Sequence, residues 1–123
     1  MKKISLIVIV CLCVCILASC SGVDFNKLNE ECEAAGVYSY VGEDGSYLLV
    51  DTNPLDMDDY YDADAWEMVK TINKELGFSE SLEQKMGQTR ALDGIQTEEQ
   101  GNVSVSWSYH PNKGLEVIYE KTK

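Results

Sequence analysis

The sequence predicts an α+β domain, in which two hairpins form a small antiparallel sheet of about four strands and two to three helices pack on one face. Three observations predict it. Two pairs of strand-like segments are each joined by a short turn, and three segments repeat apolar residues at helical spacing. Their order along the chain is helix, hairpin, two helices, hairpin. Because each helix has a single apolar stripe, the simplest arrangement covers one side of one sheet.

The first predicted element is a short amphipathic helix over residues 24–35. Its apolar positions follow the spacing i, i+3, i+7 and i+10 and are Phe25, Leu28, Cys32 and Ala35. Asp24 is suited to the N-cap, and Gly36 can adopt the left-handed conformation that ends a helix. Three glutamates lie near the C-terminal end and oppose the helix dipole, so packing must stabilise this helix.

A β-hairpin is predicted next. Residues 37–41 and 46–52 are rich in β-branched and aromatic residues, and they flank the turn sequence Gly-Glu-Asp-Gly at 42–45. The glycines permit the positive φ values that tight hairpin turns use. The two segments are therefore expected to pair as antiparallel strands.

The clearest helical pattern lies at residues 62–76. Its stripe consists of Ala65, Trp66, Val69, Ile72, Asn73 and Leu76. Asp62 or Asp64 is suited to cap the first turn, and Gly77 ends the segment. Phe78 stands where it can make the hydrophobic contact of a Schellman motif.

A shorter helix follows this one. Ser79 or Ser81 is suited to its N-cap, and the pattern continues to about Gln88. Residues 89–101 have no apolar period, so we expect an irregular segment there.

The last predicted element is a second hairpin. Residues 103–109 alternate apolar and serine positions without a break, which is typical of a strand with one face in a core. His110-Pro111-Asn112-Lys113-Gly114 suits a type I turn followed by a glycine in the left-handed conformation. Residues 115–120 then return as the partner strand.

The first twenty residues have a different character from the rest. Lys2 and Lys3 precede an apolar run at residues 4–17, which is too short to cross a bilayer but has the length of a signal-peptide core. Leu17-Ala18-Ser19-Cys20 ends the run and resembles the lipobox of bacterial prolipoproteins. In that family the cysteine thiol receives a diacylglyceryl group and the signal is cut before it.

The resemblance covers residues 1–20 and implies a domain organisation. Residues 1–19 would be the signal peptide, Cys20 the lipidation site, residues 20–23 a tether of at most about 10 Å, and residues 24–123 one small domain. The lipid would hold the protein at the extracytoplasmic face of the cell membrane, or at the outer membrane if the source has one.

The mature chain would be strongly acidic. Without Lys2 and Lys3 it carries 8 basic and 21 acidic residues, a net charge of −13. This charge excludes nucleic acid as a partner and disfavours contact with an anionic leaflet. Cys32 would be the one remaining unmodified thiol, which excludes an internal disulfide.

The most distinctive local feature is an aspartate-rich segment at residues 51–64. Carboxylates at the spacing of an EF-hand loop are found at Asp56, Asp58, Asp62, Asp64 and Glu67. Tyr61 occupies the position where that loop requires glycine, and Tyr60 replaces the usual ligand before it, so the EF-hand assignment fails. A looser calcium site is one hypothesis, and helix capping with a solvated acidic loop is the other and favoured one.

Few residues suited to catalysis are present. His110 is the only histidine, and its place before Pro111 is better explained by a turn than by catalysis. Cys32 lies on the apolar stripe of its helix and is better explained as a core residue than as a nucleophile. No phosphate-binding or dinucleotide motif occurs. We therefore expect a protein that is not an enzyme and holds no cofactor besides its lipid, with calcium as the exception just named.

The aromatic residues offer another possibility. Seven tyrosines and two tryptophans are many for a domain of this size, and they can pack within a sheet or form an exposed recognition surface. The hypotheses, in order, are a binding module of the cell envelope for an envelope protein or small ligand, a structural accessory of an envelope complex, and a small enzyme. Exposed tyrosines gathered in one patch would favour the first.

Overall fold

The computed structural model describes residues 23–58 and 60–122. The predicted signal peptide and Cys20 lie outside the described residues. Along the chain the elements are α1 (Phe25–Ala34), β1 (Ser39–Val41), β2 (Tyr47–Asp51), α2 (Ala63–Glu75), α3 (Glu80–Gln88), a 3₁₀ turn (Ala91–Asp93), β3 (Gln96–Gln100), β4 (Val103–His110) and β5 (Gly114–Lys121). None of these three helices has the length and apolar character needed to cross a membrane.

The predicted α+β class is confirmed. The strands form one sheet in the order β1-β2-β5-β4-β3, and every neighbouring pair is antiparallel. Both predicted hairpins are present, as β1–β2 and β4–β5. The core lies between this sheet and the helices, and its fully buried side chains include Phe25, Cys32, Leu48, Val69, Ile72, Leu82, Val105, Val117 and Tyr119.

The expectation of an irregular segment at residues 89–101 is wrong, because it contains β3. The sheet consequently has five strands instead of about four. β3 is an edge strand with the sequence Gln-Thr-Glu-Glu-Gln, and none of its residues is buried. A strand without a buried face leaves no apolar alternation in the sequence, and only its pairing with β4 defines it.

The ends of α1 and α2 follow the predicted caps. Asp24 accepts a hydrogen bond from the backbone N–H of Lys27, and Asp62 accepts from those of Asp64 and Ala65. Both helices finish in Schellman motifs, with Gly36 and Gly77 at positive φ. α3 begins after Ser79, whose side chain makes no capping bond and pairs with Ser81 instead.

The first helix connects two opposite ends of the domain. It begins beside the β1–β2 turn, where Asn26 lies close to Gly45, and beside the end of β5, where the Lys121 ammonium lies 5.6 Å from the ring centre of Phe25. Its last turn lies beside the carboxyl end of β2 and the segment that follows. We refer to residues 52–62 together with the turn at 110–114 as the loop end of the domain.

Candidate functional site

The loop between β2 and α2 is organised around one buried side chain, Asn53. This residue is 1% exposed. Its amide nitrogen donates to the carbonyls of Met57 at 2.7 Å and Asn112 at 3.0 Å, and its amide oxygen accepts from the N–H of Met57 at 3.1 Å. The side chain thereby fixes the first half of the loop and joins it to the β4–β5 turn.

A second contact holds the loop on the sheet. The Thr52 hydroxyl donates to the Leu115 carbonyl at 2.8 Å and accepts from the Leu115 N–H at 3.0 Å. A Cβ on Gly114 would lie 2.9 Å from Cβ of Asn53 and 3.0 Å from Oγ1 of Thr52, so glycine is needed for this close approach. The base of the loop is therefore fixed, while its tip is exposed.

Two clefts flank the loop. The first has a volume of about 490 Å³ and lies between the loop, the C-terminal end of α1 and the start of β1. The second, of about 410 Å³, lies between the loop, α2, the end of α3 and the β4–β5 hairpin. Tyr60 and Asp62 line both clefts, so the two are neighbours across a shared wall. Clefts of this size accommodate small molecules or peptide side chains.

Exposed aromatic and apolar side chains gather at these clefts. Of nine large apolar or aromatic side chains that are exposed among the described residues, six line one or both: Tyr38, Leu55, Met57, Tyr60, Tyr61 and Tyr109. Tyr40 is separate and packs beside Tyr47 with ring centres 6.1 Å apart. Four of the five exposed tyrosines in the described residues thus line these two neighbouring clefts, and such gathering favours a binding role over dispersal across the sheet.

The charged groups that line the first cleft are all acidic. They are Glu33, Asp51 and Asp62, and no lysine or arginine stands among its described lining residues. Burial raises the pKa of the Asp51 carboxyl, repulsion from Asp56 adds to this, and a hydrogen bond from the Asn53 N–H opposes it. Asp51 is therefore a partly desolvated carboxylate without a cationic partner in the described part of the chain.

Trp66, which lines the second cleft, carries a lysine over its ring, although the lysine itself is not one of the residues that line this cleft. The Lys70 ammonium is 5.9 Å from the ring centre of Trp66 and 2.6 Å from a carboxylate oxygen of Glu67. The hydrogen bond to Glu67 is the main cause that raises the pKa of Lys70. This is a cation–π contact supported by an acid, built entirely within α2.

The predicted calcium ligands are not brought together. Within residues 23–58 and 60–122 no group of three or more acidic, histidine or cysteine side chains is close enough to hold a metal ion. Asp62 caps α2, Glu67 pairs with Lys70, and Asp56 has a backbone φ of 52° in the loop. Asp58 and Asp64 are exposed. The calcium hypothesis stays a prediction, testable by calorimetry with millimolar Ca²⁺.

The two residues considered for catalysis have local structural surroundings. Cys32 is fully buried, and desolvation raises the pKa of its thiol, which keeps it protonated and weakly nucleophilic. His110 is exposed at the end of β4, where its Nδ1 accepts from the Asn112 N–H at 3.1 Å. Cys32 thus belongs to the core and His110 to the hairpin turn.

Sequence reasoning missed Asn53 and the clefts that it helps to shape. The Asn-Pro pair signals a turn, but no sequence pattern announces that the amide reaches a turn 59 residues further along the chain. Comparisons with protein-family models, with curated proteins and with solved structures found no match.

Proposed function

We propose that this protein is a membrane-anchored lipoprotein of the extracytoplasmic face that binds an envelope protein or small ligand at the loop end of its domain. The anchor would be the lipid on Cys20 that the lipobox resemblance implies. The role assigned to the domain is binding without catalysis.

The observation that supports this proposal is that the start of α1 and the clefts lie at opposite ends of the domain. We refer to the start of α1 together with the turn at residues 42–45 as the anchor end. Val23, three residues after Cys20, precedes the N-cap Asp24 of α1, and the first cleft adjoins the last turn of the same helix. A helix of 10 residues is about 15 Å long. A domain tethered through residues 20–23 would thus present its clefts on the side away from the lipid.

The composition of the loop end supports binding. Tyr61 is 72% exposed and Leu55 is 78% exposed. Covering either side chain by a partner would be favourable, because it would remove apolar surface from water. Isolated exposed apolar residues are ordinary, but a cluster around two clefts is typical of an interaction site, and tyrosine is frequent among residues that dominate binding energy.

One alternative uses another surface. The face of the sheet opposite the helices carries Tyr40, Leu49 and Ile118 in one cross-strand row. A structural accessory of an envelope complex would dock on this broad face and not in a cleft.

Photo-crosslinking in the native envelope tests the proposal. A photoreactive phenylalanine derivative replaces Tyr60 in the cleft wall, Tyr40 on the sheet face, or the exposed Glu43 in the turn at the anchor end. We expect one specific adduct from position 60, whose yield falls when unlabelled wild-type protein is added. We expect no adduct from position 43. An adduct from position 40 alone would contradict the proposal and support the structural accessory.

A further inference from the structure

The first cleft combines one sign of charge with an apolar lining. We propose that it binds a basic peptide segment in which a lysine or arginine stands next to an apolar residue. The inference rests on the proposed binding function and specifies the chemistry of the ligand.

Charge complementarity is the first argument. Glu33 comes from the end of α1, Asp51 from the end of β2 and Asp62 from the N-cap of α2, so three separate elements bring carboxylates to one cleft. Asp51 has already lost part of its hydration, and the charged group that contributes to its raised pKa is another acid, Asp56. A cation placed beside Asp51 would relieve this repulsion, because the interaction strengthens where water is partly excluded.

The apolar lining is the second argument. Val37, Leu55 and Met57 line the cleft and are suited to contact an aliphatic side chain. Tyr38 and Tyr60 also line it, and tyrosine rings are groups that attract an ammonium or guanidinium group. Lys70 over Trp66, with Glu67 beside it, shows this same combination of ring and acid holding a lysine within the chain. The first cleft has rings and acids in its lining and no lysine or arginine among its described lining residues, so it is the cleft suited to an external cation.

The spacing of the acids selects the kind of cation. A calcium site requires six to eight oxygen ligands around one point, and no group of three acidic side chains meets this need in the described ranges. Long, flexible lysine and arginine side chains reach separate carboxylates from one backbone. An anionic membrane surface is disfavoured as the occupant, since it would meet carboxylates only.

Fluorescence anisotropy with the full chain in a nonionic detergent tests this inference. The probe is a labelled peptide of alternating lysine and leucine with blocked termini, and the comparison peptides carry glutamine or glutamate in place of lysine. Spermidine and CaCl₂ are added as competitors. We expect the lysine peptide to bind at least tenfold more tightly than the glutamine peptide, the glutamate peptide not to bind, and affinity to fall with added salt.

Two charge-removing variants locate the site. Asp51→Asn keeps an oxygen that can accept from the Asn53 N–H, and we expect it to weaken binding of the lysine peptide about fivefold. Glu33→Gln removes an exposed charge from the other wall, and it serves if Asp51→Asn fails to fold by circular dichroism. Glu43→Gln makes the same change of charge at the anchor end, and we expect unchanged affinity.

The outcomes separate this inference from the proposed function. Equal binding of the lysine and glutamine peptides, or loss of affinity in Glu43→Gln as large as in Asp51→Asn, would overturn the basic-peptide assignment. If CaCl₂ displaces the peptide and NaCl at the same ionic strength does not, the cleft is a metal site and the basic-peptide assignment is wrong. If spermidine displaces the peptide at the peptide's own concentration, the cleft binds a free amine and the assignment is also wrong. Absence of binding by all three peptides would also overturn the inference, while a specific adduct from position 60 would still support binding at the loop end.

Discussion

The buried pair of Asn73 and Tyr119 offers a sharp test of the core. The Tyr119 hydroxyl donates to Oδ1 of Asn73 at 2.6 Å, and both residues are at most 1% exposed. The Asn73 amide nitrogen faces the Met86 sulfur at 3.4 Å. The other acceptor near the hydroxyl is the Val69 carbonyl at 3.5 Å, which is long for a hydroxyl donor. Complete burial raises the pKa of Tyr119 well above its ordinary value, so the hydroxyl stays protonated and donating.

Asn73→Leu retains the branching of the side chain and removes both polar atoms. The Tyr119 hydroxyl then stays buried without a good acceptor, which costs about 1–3 kcal/mol of unfolding free energy. Tyr119→Phe leaves Oδ1 of Asn73 without its donor and costs a similar amount, about 1–3 kcal/mol. The double variant leaves neither group unpaired, so we expect it to be less destabilised than the sum of the single variants by about 1–2 kcal/mol.

Urea unfolding followed by circular dichroism, on the chain without residues 1–22, measures these values. In thermal melts each 1 kcal/mol corresponds to roughly 4–8 °C for a domain of this size. Tyr109→Phe removes the same hydroxyl from an exposed ring and serves as the control, with an expected change within about 0.5 kcal/mol. Additivity of the two single variants within about 0.5 kcal/mol would refute the reasoning.

Three further predictions follow from local geometry and from the lipobox. Gly114→Ala adds a clash with Asn53 to an unfavourable φ of 69°, whereas Gly36→Ala meets nothing within 4 Å at a φ of 75°. Thermal melts are therefore expected to show a larger drop in melting temperature for Gly114→Ala than for Gly36→Ala. Equal drops would show that the close approach is not the cause. Burial raises the pKa of Asp51 in the folded state, so the favourable contribution of this residue to stability is present below about pH 3.9 and is lost as the pH rises through the folded pKa. Asp51→Asn is therefore expected to raise the melting temperature at pH 7 and not at pH 3. A gain of the same size at both pH values would contradict this. Intact mass spectrometry of the membrane-extracted chain is expected to show loss of residues 1–19 and added acyl mass. Both changes should be absent in Cys20→Ala. An unprocessed, unacylated wild-type mass would overturn the proposal of a lipid anchor.

Much of the fold could be predicted because its signals are local. The caps at Asp24 and Asp62, the glycines after α1 and α2, and the uninterrupted alternation of β4 depend on residues within a few positions of each other. β3 could not be predicted, since an edge strand with polar residues on both faces has no internal period. Its strand conformation depends on its pairing with β4, which follows it along the chain.

The candidate site was less accessible to sequence reasoning. Density of carboxylates raised a calcium site at residues 56–67 as the less favoured hypothesis beside helix capping. Local density does not determine whether side chains converge, and here they spread over a loop and a helix. Asn53 shows the opposite case. Nothing in its neighbourhood indicates burial, yet it joins two loops that are distant in sequence.

The sequence by itself determined the helices, the two hairpins, the acidic charge and the resemblance to a lipoprotein signal, because each is encoded in spacing, composition or a contiguous motif. Tertiary structure alone decided the order of the strands, the burial of Asn53 and the gathering of six exposed apolar and aromatic side chains around two clefts. These features arise from contacts between residues far apart along the chain, and such contacts leave no period in the sequence.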